Sequence, residues 1–210
     1  MLRKRPATRI AVLVSGGGTN LQALIDAEKS GKIKNGEIVL VLSSNPDAYA
    51  LERAKAAGIP AVSVPRNAHI LDFEEKIIEA LETYKADLIV LAGFLSILSE
   101  DFTRRYDHRI LNVHPSLIPA FCGKGYYGLR VHEAALARGV KLTGATVHFV
   151  NEIPDGGEIV MQKAVKVLKG DDAKTLQRRV MEEAEWKILP AAVEKVSAAM
   201  RRAGKTSDEK

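Results

Sequence analysis

The sequence predicts an α/β fold: a single domain with a mostly parallel, twisted sheet of seven strands flanked by helices. Short apolar runs rich in β-branched residues alternate with segments whose apolar residues recur at helical spacing. Gly- and Pro-containing turns separate the two kinds of segment. Of the 210 residues, 46% are hydrophobic, which is ample material for a core. Regular alternation of strand and helix is typical of parallel strands joined by right-handed crossovers.

The first strand, Arg9–Val14, is an apolar run that ends at three consecutive glycines, and helix Thr19–Ser30 follows it. This strand, turn and helix resemble the mononucleotide-binding half of a Rossmann-like fold. The further strands are predicted at Glu37–Leu42, Ala61–Val64, Leu88–Ala92, Ile110–His114, Leu142–Val150 and Ile159–Val167. The further helices are predicted at Ala48–Ala57, Asp72–Tyr84, Ser99–Tyr106, Tyr127–Arg138 and Asp171–Met200, the last interrupted near Pro190.

The net charge of +5 belongs to the two ends of the chain. Arg3, Lys4 and Arg5 lie in a basic tail at residues 1–8, and the predicted disordered tail at 201–210 is also basic. The domain between them, residues 9–200, divides near residue 98 into halves 9–98 and 99–200. Because that body is neutral and lacks a basic stripe with interleaved aromatic residues, we expect no nucleic-acid partner.

The single cysteine, Cys122, cannot form an internal disulfide and favours a reducing, cytoplasmic location. No Cys/His cluster has the spacing of metal ligands, so no metal is expected. No signal peptide is recognisable, and no apolar run reaches the roughly 18 residues that a membrane helix needs. We therefore expect small-molecule partners and no membrane.

The glycine loop, Ser15–Asn20, lies between the first strand and the first helix. Free backbone N–H groups and the helix dipole favour an anion there, and glycine lets a phosphate approach the backbone. The dinucleotide fingerprint fails because its third glycine falls on Leu21, and a triphosphate loop would need a Lys-Ser/Thr pair. The loop thus predicts a single phosphate and a mononucleotide-sized ligand; the alternative is a tight turn that binds nothing.

A second group of polar residues centres on the strand that ends at His114. Period-two alternation sends Asn112 and His114 to one face, and His114 precedes Pro115, which favours extended backbone. Asp155, between Pro154 and two glycines, is presented on a bend, where an Asx turn is the plain alternative. A carboxylate beside an imidazole favours the protonated ring. The three residues together predict a pair that holds a proton near neutral pH.

Other polar residues have structural interpretations. His148 lies in an apolar strand segment and is interpreted as structural, and Cys122 as a plain loop thiol because no basic partner accompanies it. His132 lies in a helix close to the Pro- and Gly-rich loop and could face the site or solvent. Glu182, Glu183 and Glu185 are most simply a solvated helix face.

Four motifs in this order resemble the phosphoribosylglycinamide formyltransferases, the folate-dependent enzymes of purine synthesis. They are Ser15–Asn20, Leu91–Leu98, Asn112–Pro119, and Val147–Val150 with Asp155-Gly156-Gly157. The resemblance spans about residues 9–196 and implies the family's mostly parallel seven-stranded sheet. It also implies that the half 9–98 binds phosphate and the half 99–200 carries catalysis and folate binding.

The resemblance implies a role for each matching residue. Asn112, His114 and Asp155 would be catalytic, with Asp155 as the charge partner of His114. The residues implied to bind the ribonucleotide are Gly18, Thr19, Asn20, His132 and Glu185. Those implied to lie against the folate are Leu95, Ser96, Ile97, Leu98, Asn151, Glu152, Ile153 and Pro154. Ser96 stands where many relatives have a basic residue, and the segment Phe121–Leu129 is longer than in some of them.

The reaction implied is transfer of the formyl group of 10-formyltetrahydrofolate, a co-substrate, to the amine of glycinamide ribonucleotide, by a monomer or homodimer. Other formyl-folate enzymes remain open at this point: a formyltetrahydrofolate hydrolase, a sugar-nucleotide formyltransferase, or methionyl-tRNA formyltransferase, which needs a further domain. A non-catalytic nucleotide- or folate-binding sensor on the same fold is the alternative from a different class.

Overall fold

This computed structural model describes residues 6–66 and 70–207, with side chains through residue 203. The described residues form a seven-stranded sheet and seven α-helices. The strands are β1 (Thr8–Val14), β2 (Gly36–Ser43), β3 (Ala61–Ser63), β4 (Leu88–Leu91), β5 (Ile110–His114), β6 (Leu142–Phe149) and β7 (Ile159–Lys166). The helices are α1 (Thr19–Lys29), α2 (Tyr49–Ala56), α3 (Ile70–Thr83), α4 (Glu100–Arg105), α5 (Leu129–Arg138), α6 (Ala173–Val180) and α7 (Trp186–Ser207). The basic residues Arg3, Lys4 and Arg5 lie outside the described residues, as do residues 208–210 of the predicted tail.

The strand order is β3-β2-β1-β4-β5-β6-β7. Strand β1 pairs in parallel with β2 and with β4, and β2 pairs in parallel with β3. Strand β6 is antiparallel to both β5 and β7. The predicted α/β class with a mostly parallel seven-stranded sheet is therefore confirmed, and the predicted strands agree with those observed to within about two residues at their ends.

The chain forms two compact units, Met1–Ile97 with Pro190–Lys210, and Leu98–Leu189. In the first unit, β1 and β2 are almost entirely buried, which explains why both read as continuous apolar runs and not as alternating ones. Helix α7 is tied to this unit because the Thr8 hydroxyl donates to the Ser197 carbonyl at 3.0 Å. The domain boundaries predicted at residues 8, 98 and 200 stay predictions.

The second unit is built on the antiparallel strands β5, β6 and β7. Val131 and Ala135 of α5 and Leu176 and Val180 of α6 are fully buried there. Helix α6 is capped at its N-terminus by Asp172, whose carboxylate accepts the Thr175 N–H at 2.7 Å. None of the helices among the described residues is long and apolar enough to cross a bilayer.

The closing helical segment differs from its prediction. The irregularity predicted at Pro190 lies instead at Met181–Glu185, a π-helical turn between α6 and α7, and Pro190 sits inside α7. A π turn adds one residue to the helix and shifts its hydrogen-bond register. Such an insertion leaves the apolar pattern of the flanking helices intact, which is why the sequence pattern did not reveal it. Helix α7 also continues to Ser207, past the predicted end at Met200.

Candidate active site

Strand β5 carries the two polar side chains predicted at the centre of the site. Asn112 and His114 alternate with apolar residues, so both point to one face of the strand. The antiparallel pairing with β6 sets Asn112 opposite His148 and His114 opposite Thr146. His114 is buried and Asn112 is half-buried. The strand thus holds an amide and an imidazole side by side on a rigid element.

Asp155 joins these two residues from the loop between β6 and β7. Its Oδ2 lies 3.5 Å from His114 Nδ1 and accepts the Gly123 N–H at 2.8 Å. Its Oδ1 accepts from Asn112 Nδ2 at 3.5 Å. The φ of 58° at Asp155 is left-handed, a conformation that Asp and Asn tolerate better than most residues. The second unit therefore brings Asn112, His114 and Asp155 together.

The two ring nitrogens of His114 have different partners. Nε2 lies 2.9 Å from the carbonyl oxygen of Phe121, and because a carbonyl can only accept, Nε2 carries a hydrogen. Nδ1 faces Asp155 at 3.5 Å, which is longer than the roughly 2.7–2.9 Å of a charge-assisted hydrogen bond. Nδ1 is therefore the ring nitrogen that faces the carboxylate.

His148 has contacts that the sequence analysis did not predict. It is buried on β6 as expected, but its Nε2 lies 3.2 Å from Asn112 Nδ2 and 3.5 Å from Asp155 Oδ1. Its Nδ1 donates to the Phe149 carbonyl at 2.8 Å, so Nε2 is the nitrogen that faces both Asn112 and Asp155; it accepts from Asn112 when it carries no hydrogen and donates to Asp155 when it does. His148 therefore contacts two of the predicted site residues, which its interpretation as structural did not anticipate. The cross-strand register that pairs them is not readable from the sequence.

The charge of Asp155 is stabilised by this environment. Burial raises the pKa of the carboxyl, but a hydrogen bond from His148, the charge of His114 and the Gly123 N–H together bring the pKa below its ordinary value of 3.8. The carboxylate is therefore ionised throughout the neutral range. A proton on either neighbouring histidine has a fixed counter-charge within 3.5 Å.

Cys122 lies between the two loop residues that contact His114 and Asp155. Burial and the charge of Asp155 both raise the pKa of its thiol above the ordinary value of 9.0. A protonated thiol is a poor nucleophile, in agreement with the interpretation of Cys122 as a plain loop thiol. Among the described residues, no group of three His, Cys, Asp or Glu side chains is arranged to hold a metal ion.

The glycine loop belongs to the first unit. It follows β1, and the Ser15 N–H donates to the Gly93 carbonyl, just beyond β4, at 3.1 Å. The sheet order reverses between β1 and β4, and such a switch point is where open α/β sheets bind ligands. Gly18 has a φ of 71° at the start of α1, and no side chain caps that helix. Thr19 is exposed and Asn20 is buried.

The residues implied to contact folate differ in exposure. Leu95 and Ile97 are 65% and 68% exposed in the first unit, and Ile153 is 58% exposed in the second. Contiguous patches of exposed apolar side chains are typical of binding surfaces, and Leu95 and Ile97 lie two residues apart on one loop. Ser96 is buried, whereas Glu152 and Pro154 are exposed and Leu98 and Asn151 are half-buried.

His132 and Glu185 are both buried in the second unit. Burial, with the charge of His114, lowers the pKa of His132 from 6.5 to about 4, so this ring is neutral. Both of its nitrogens are buried without a hydrogen-bond partner among the described residues, and the substrate contact implied by the resemblance stays a prediction. Glu185 ends the π-helical turn and is buried, while Glu182 and Glu183 are exposed.

Comparisons with known proteins show which family this chain is similar to. Residues 8–193 match the family described as formyl transferase. The chain is 44% identical, over 88% of its own length and 85% of the other's, to a phosphoribosylglycinamide formyltransferase of Haemophilus influenzae. It is 42% identical over 93% of its length to a trifunctional purine biosynthetic protein of Bos taurus, of which it spans only 19%.

This chain is also similar in structure to solved proteins. The glycinamide ribonucleotide transformylase 1 of Symbiobacterium toebii superimposes with a TM-score of 0.85 at 40% identity. The match covers 92% of this chain and 89% of that one.

Proposed function

The chain belongs to the formyl transferase family, and on that premise we propose that it transfers the formyl group of 10-formyltetrahydrofolate to the primary amine of glycinamide ribonucleotide. The products are formylglycinamide ribonucleotide and tetrahydrofolate, in purine biosynthesis. The observation that carries the proposal is the cluster of Asn112, His114 and Asp155, in which two nitrogen donors lie beside one carboxylate.

The proposed reaction begins with attack of the amine on the formyl carbon. The carbonyl oxygen then becomes negative in a tetrahedral intermediate and needs hydrogen-bond donors. Asn112 Nδ2 and the Nδ1–H of protonated His114 supply them, and donors that are already oriented toward developing charge are usually the largest catalytic contribution. The long contact between His114 Nδ1 and Asp155 supports this role, because that N–H is not committed to a short bond with the carboxylate.

Collapse of the intermediate breaks the bond between the formyl carbon and N10 of the folate. The amine loses one proton and N10 gains one, so the step is balanced without another reactant. Asp155 places a negative charge beside His114 and helps to move that proton, directly or through water. The nucleophile is the substrate's own amine, which agrees with a Cys122 thiol that stays protonated.

Substrate binding is assigned to the remaining predicted residues. The backbone of Gly18, Thr19 and Asn20 would hold the ribonucleotide phosphate. Glu185 would accept hydrogen bonds from the ribose hydroxyls. Leu95 and Ile97, with Ile153 and its neighbours in the loop 151–154, would contact the folate, and their exposure supports this assignment. We propose a cytoplasmic monomer or homodimer whose partners are these small molecules.

The deciding experiment incubates the purified protein with glycinamide ribonucleotide and 10-formyltetrahydrofolate and follows the release of tetrahydrofolate. Release that depends on both substrates, with one formylated ribonucleotide formed for each tetrahydrofolate, supports the proposal. Release without the ribonucleotide would identify a hydrolase instead. Tight binding of both ligands without turnover would identify a non-catalytic sensor.

A further inference from the structure

Three consecutive carbonyl groups of the glycine loop are hydrogen-bonded to the body of the first unit. The Gly16 carbonyl accepts the Ala50 N–H at 3.1 Å, and the Gly18 carbonyl accepts the Gln22 N–H at 2.9 Å. The Gly17 carbonyl accepts from the side chain of Arg53, whose Nε lies 2.8 Å away. Each of these carbonyls is therefore held on the protein side of the loop.

A planar trans peptide directs its N–H opposite to its C=O. Holding the carbonyls of residues 16, 17 and 18 inward thus directs the N–H groups of Gly17, Gly18 and Thr19 outward. Space outside Gly16 and Gly17 is open, since an added Cβ at either would meet nothing within 4 Å. Successive backbone N–H groups that converge in this way form a concave anion site.

The Gly17 carbonyl differs from those of Gly16 and Gly18 in the kind of donor that is hydrogen-bonded to it. Gly16 and Gly18 are held by main-chain N–H groups of helices, which no side-chain substitution removes. Gly17 is held by a side chain, and the peptide it shares with Gly18 is flanked by two glycines, so its rotation meets little steric resistance. If that peptide turned over, the Gly18 N–H would leave the anion site and a carbonyl oxygen would point into it.

Arg53 is itself fixed in place. Its NH1 donates to the Gln22 side chain at 3.0 Å, and its guanidinium lies 5.0 Å from the centre of the Tyr49 ring. Its Cδ would lie 3.4 Å from a Cβ added at Gly18, so the stem of Arg53 also borders that glycine. We propose that Arg53 is a positioning residue that sets the orientation of the Gly17–Gly18 peptide and thereby the affinity for the substrate phosphate. This inference rests on the proposed function of the glycine loop.

The test compares Arg53→Met with Lys55→Met. Both variants remove one positive charge from the same helix, but Lys55 is exposed and pairs with Glu52. Arg53→Met should raise KM for glycinamide ribonucleotide by about 10- to 100-fold, the worth of a charge-assisted hydrogen bond. The kcat and the KM for formyl folate should stay close to wild type, since the phosphate is remote from the reacting atoms and its binding is weakened equally in the ground and transition states. Arg53→Lys keeps the charge and one donor, so its KM for glycinamide ribonucleotide should lie between those of Arg53→Met and Lys55→Met. It replaces Arg53→Met in the comparison if Arg53→Met does not fold.

An unchanged KM in Arg53→Met, or an equal rise in Lys55→Met, would overturn the inference, because long-range charge would then suffice. A second measurement is independent of turnover: titration of ¹⁵N-labelled protein with inorganic phosphate should shift the Gly17 and Gly18 amide signals in wild type and less in Arg53→Met. If wild type has no formyltransferase activity, the proposed function fails and this titration still decides the role of Arg53. Equal shifts in both proteins would remove that role.

Discussion

Asn112 and His114 are the residues on which the proposed chemistry depends most directly. Replacing either with Ala removes one of the two donors assigned to the oxyanion. We expect each substitution to lower kcat by roughly 10²–10³-fold, with KM for the ribonucleotide little changed, because the donors act on charge that develops only in the intermediate. Steady-state kinetics on variants with wild-type circular dichroism measure this directly.

The matched control is His108→Ala, which removes an exposed histidine just before β5 that contacts Asp107, Glu158 and the Phe149 ring. That variant should keep wild-type turnover. Near-normal turnover of folded Asn112→Ala or His114→Ala would contradict the assignment of these residues to catalysis.

The buried ring of His132 should make the free energy of unfolding depend on pH. Its pKa is about 4 in the folded protein against 6.5 for the free side chain, because burial and the nearby His114 disfavour the charged ring. Between those values the unfolded chain binds a proton that the folded chain does not, so the free energy of unfolding falls as pH drops from about 6.5 toward 4. By pH 4.5 this loss should amount to about 2–3 kcal/mol.

Urea unfolding of wild type and His132→Leu at pH 7, 5.5 and 4.5 tests this. Leucine has a similar volume and leaves no buried nitrogen without a partner, so the variant should be at least as stable as wild type at low pH. His108→Leu, at an exposed position, should titrate like wild type. Parallel pH profiles for wild type and His132→Leu would show that the buried ring does not carry this dependence.

The hairpin of β6 and β7 carries His148 and Asp155, and two of its glycines lie where a side chain would collide with backbone. A Cβ at Gly157 would lie 1.8 Å from the carbonyl oxygen of Phe149, the group that holds His148 Nδ1 at 2.8 Å. Gly157→Ala should therefore displace both that carbonyl and the adjoining turn with Asp155. We expect kcat to fall by about 10- to 100-fold, the usual effect of misplacing catalytic groups by about 1 Å.

Gly144→Ala is the control for this substitution, because its Cβ would also collide with backbone, 2.0 Å from the Lys163 carbonyl oxygen in the same hairpin. Both variants should unfold at lower urea concentration than wild type. Only Gly157→Ala should also lose turnover under conditions where it is folded; equal losses would attribute the effect to hairpin stability alone.

The elements differ in how far the sequence reveals them. Apolar runs followed by glycine or proline turns are enough to predict the strands, and in β1, β2 and β4 these runs reflect burial on both faces, whereas β7 is largely exposed. The approach of Asp155 to His114 was expected from the resemblance and from charge complementarity, and the structure places the pair 3.5 Å apart. His148 was missed because its role depends on the register between two strands, and Arg53 because its contact joins side chain to backbone 36 residues away.

The stability of the molecule as a whole should report ligand binding independently of turnover. A ligand that binds only the folded chain adds about 2.7 kcal/mol to the free energy of unfolding at 100 times its dissociation constant. For a chain of this length we expect Tm to rise by about 5–10 °C with glycinamide ribonucleotide. His114→Ala should show the same rise, because the phosphate is assigned to the backbone of the glycine loop, whereas Arg53→Met should show less at the same ligand concentration. Differential scanning calorimetry measures these shifts in Tm, and titration calorimetry supplies the dissociation constants. A His114→Ala variant that loses both the Tm shift and turnover would show that His114 acts in binding and not in the chemical step.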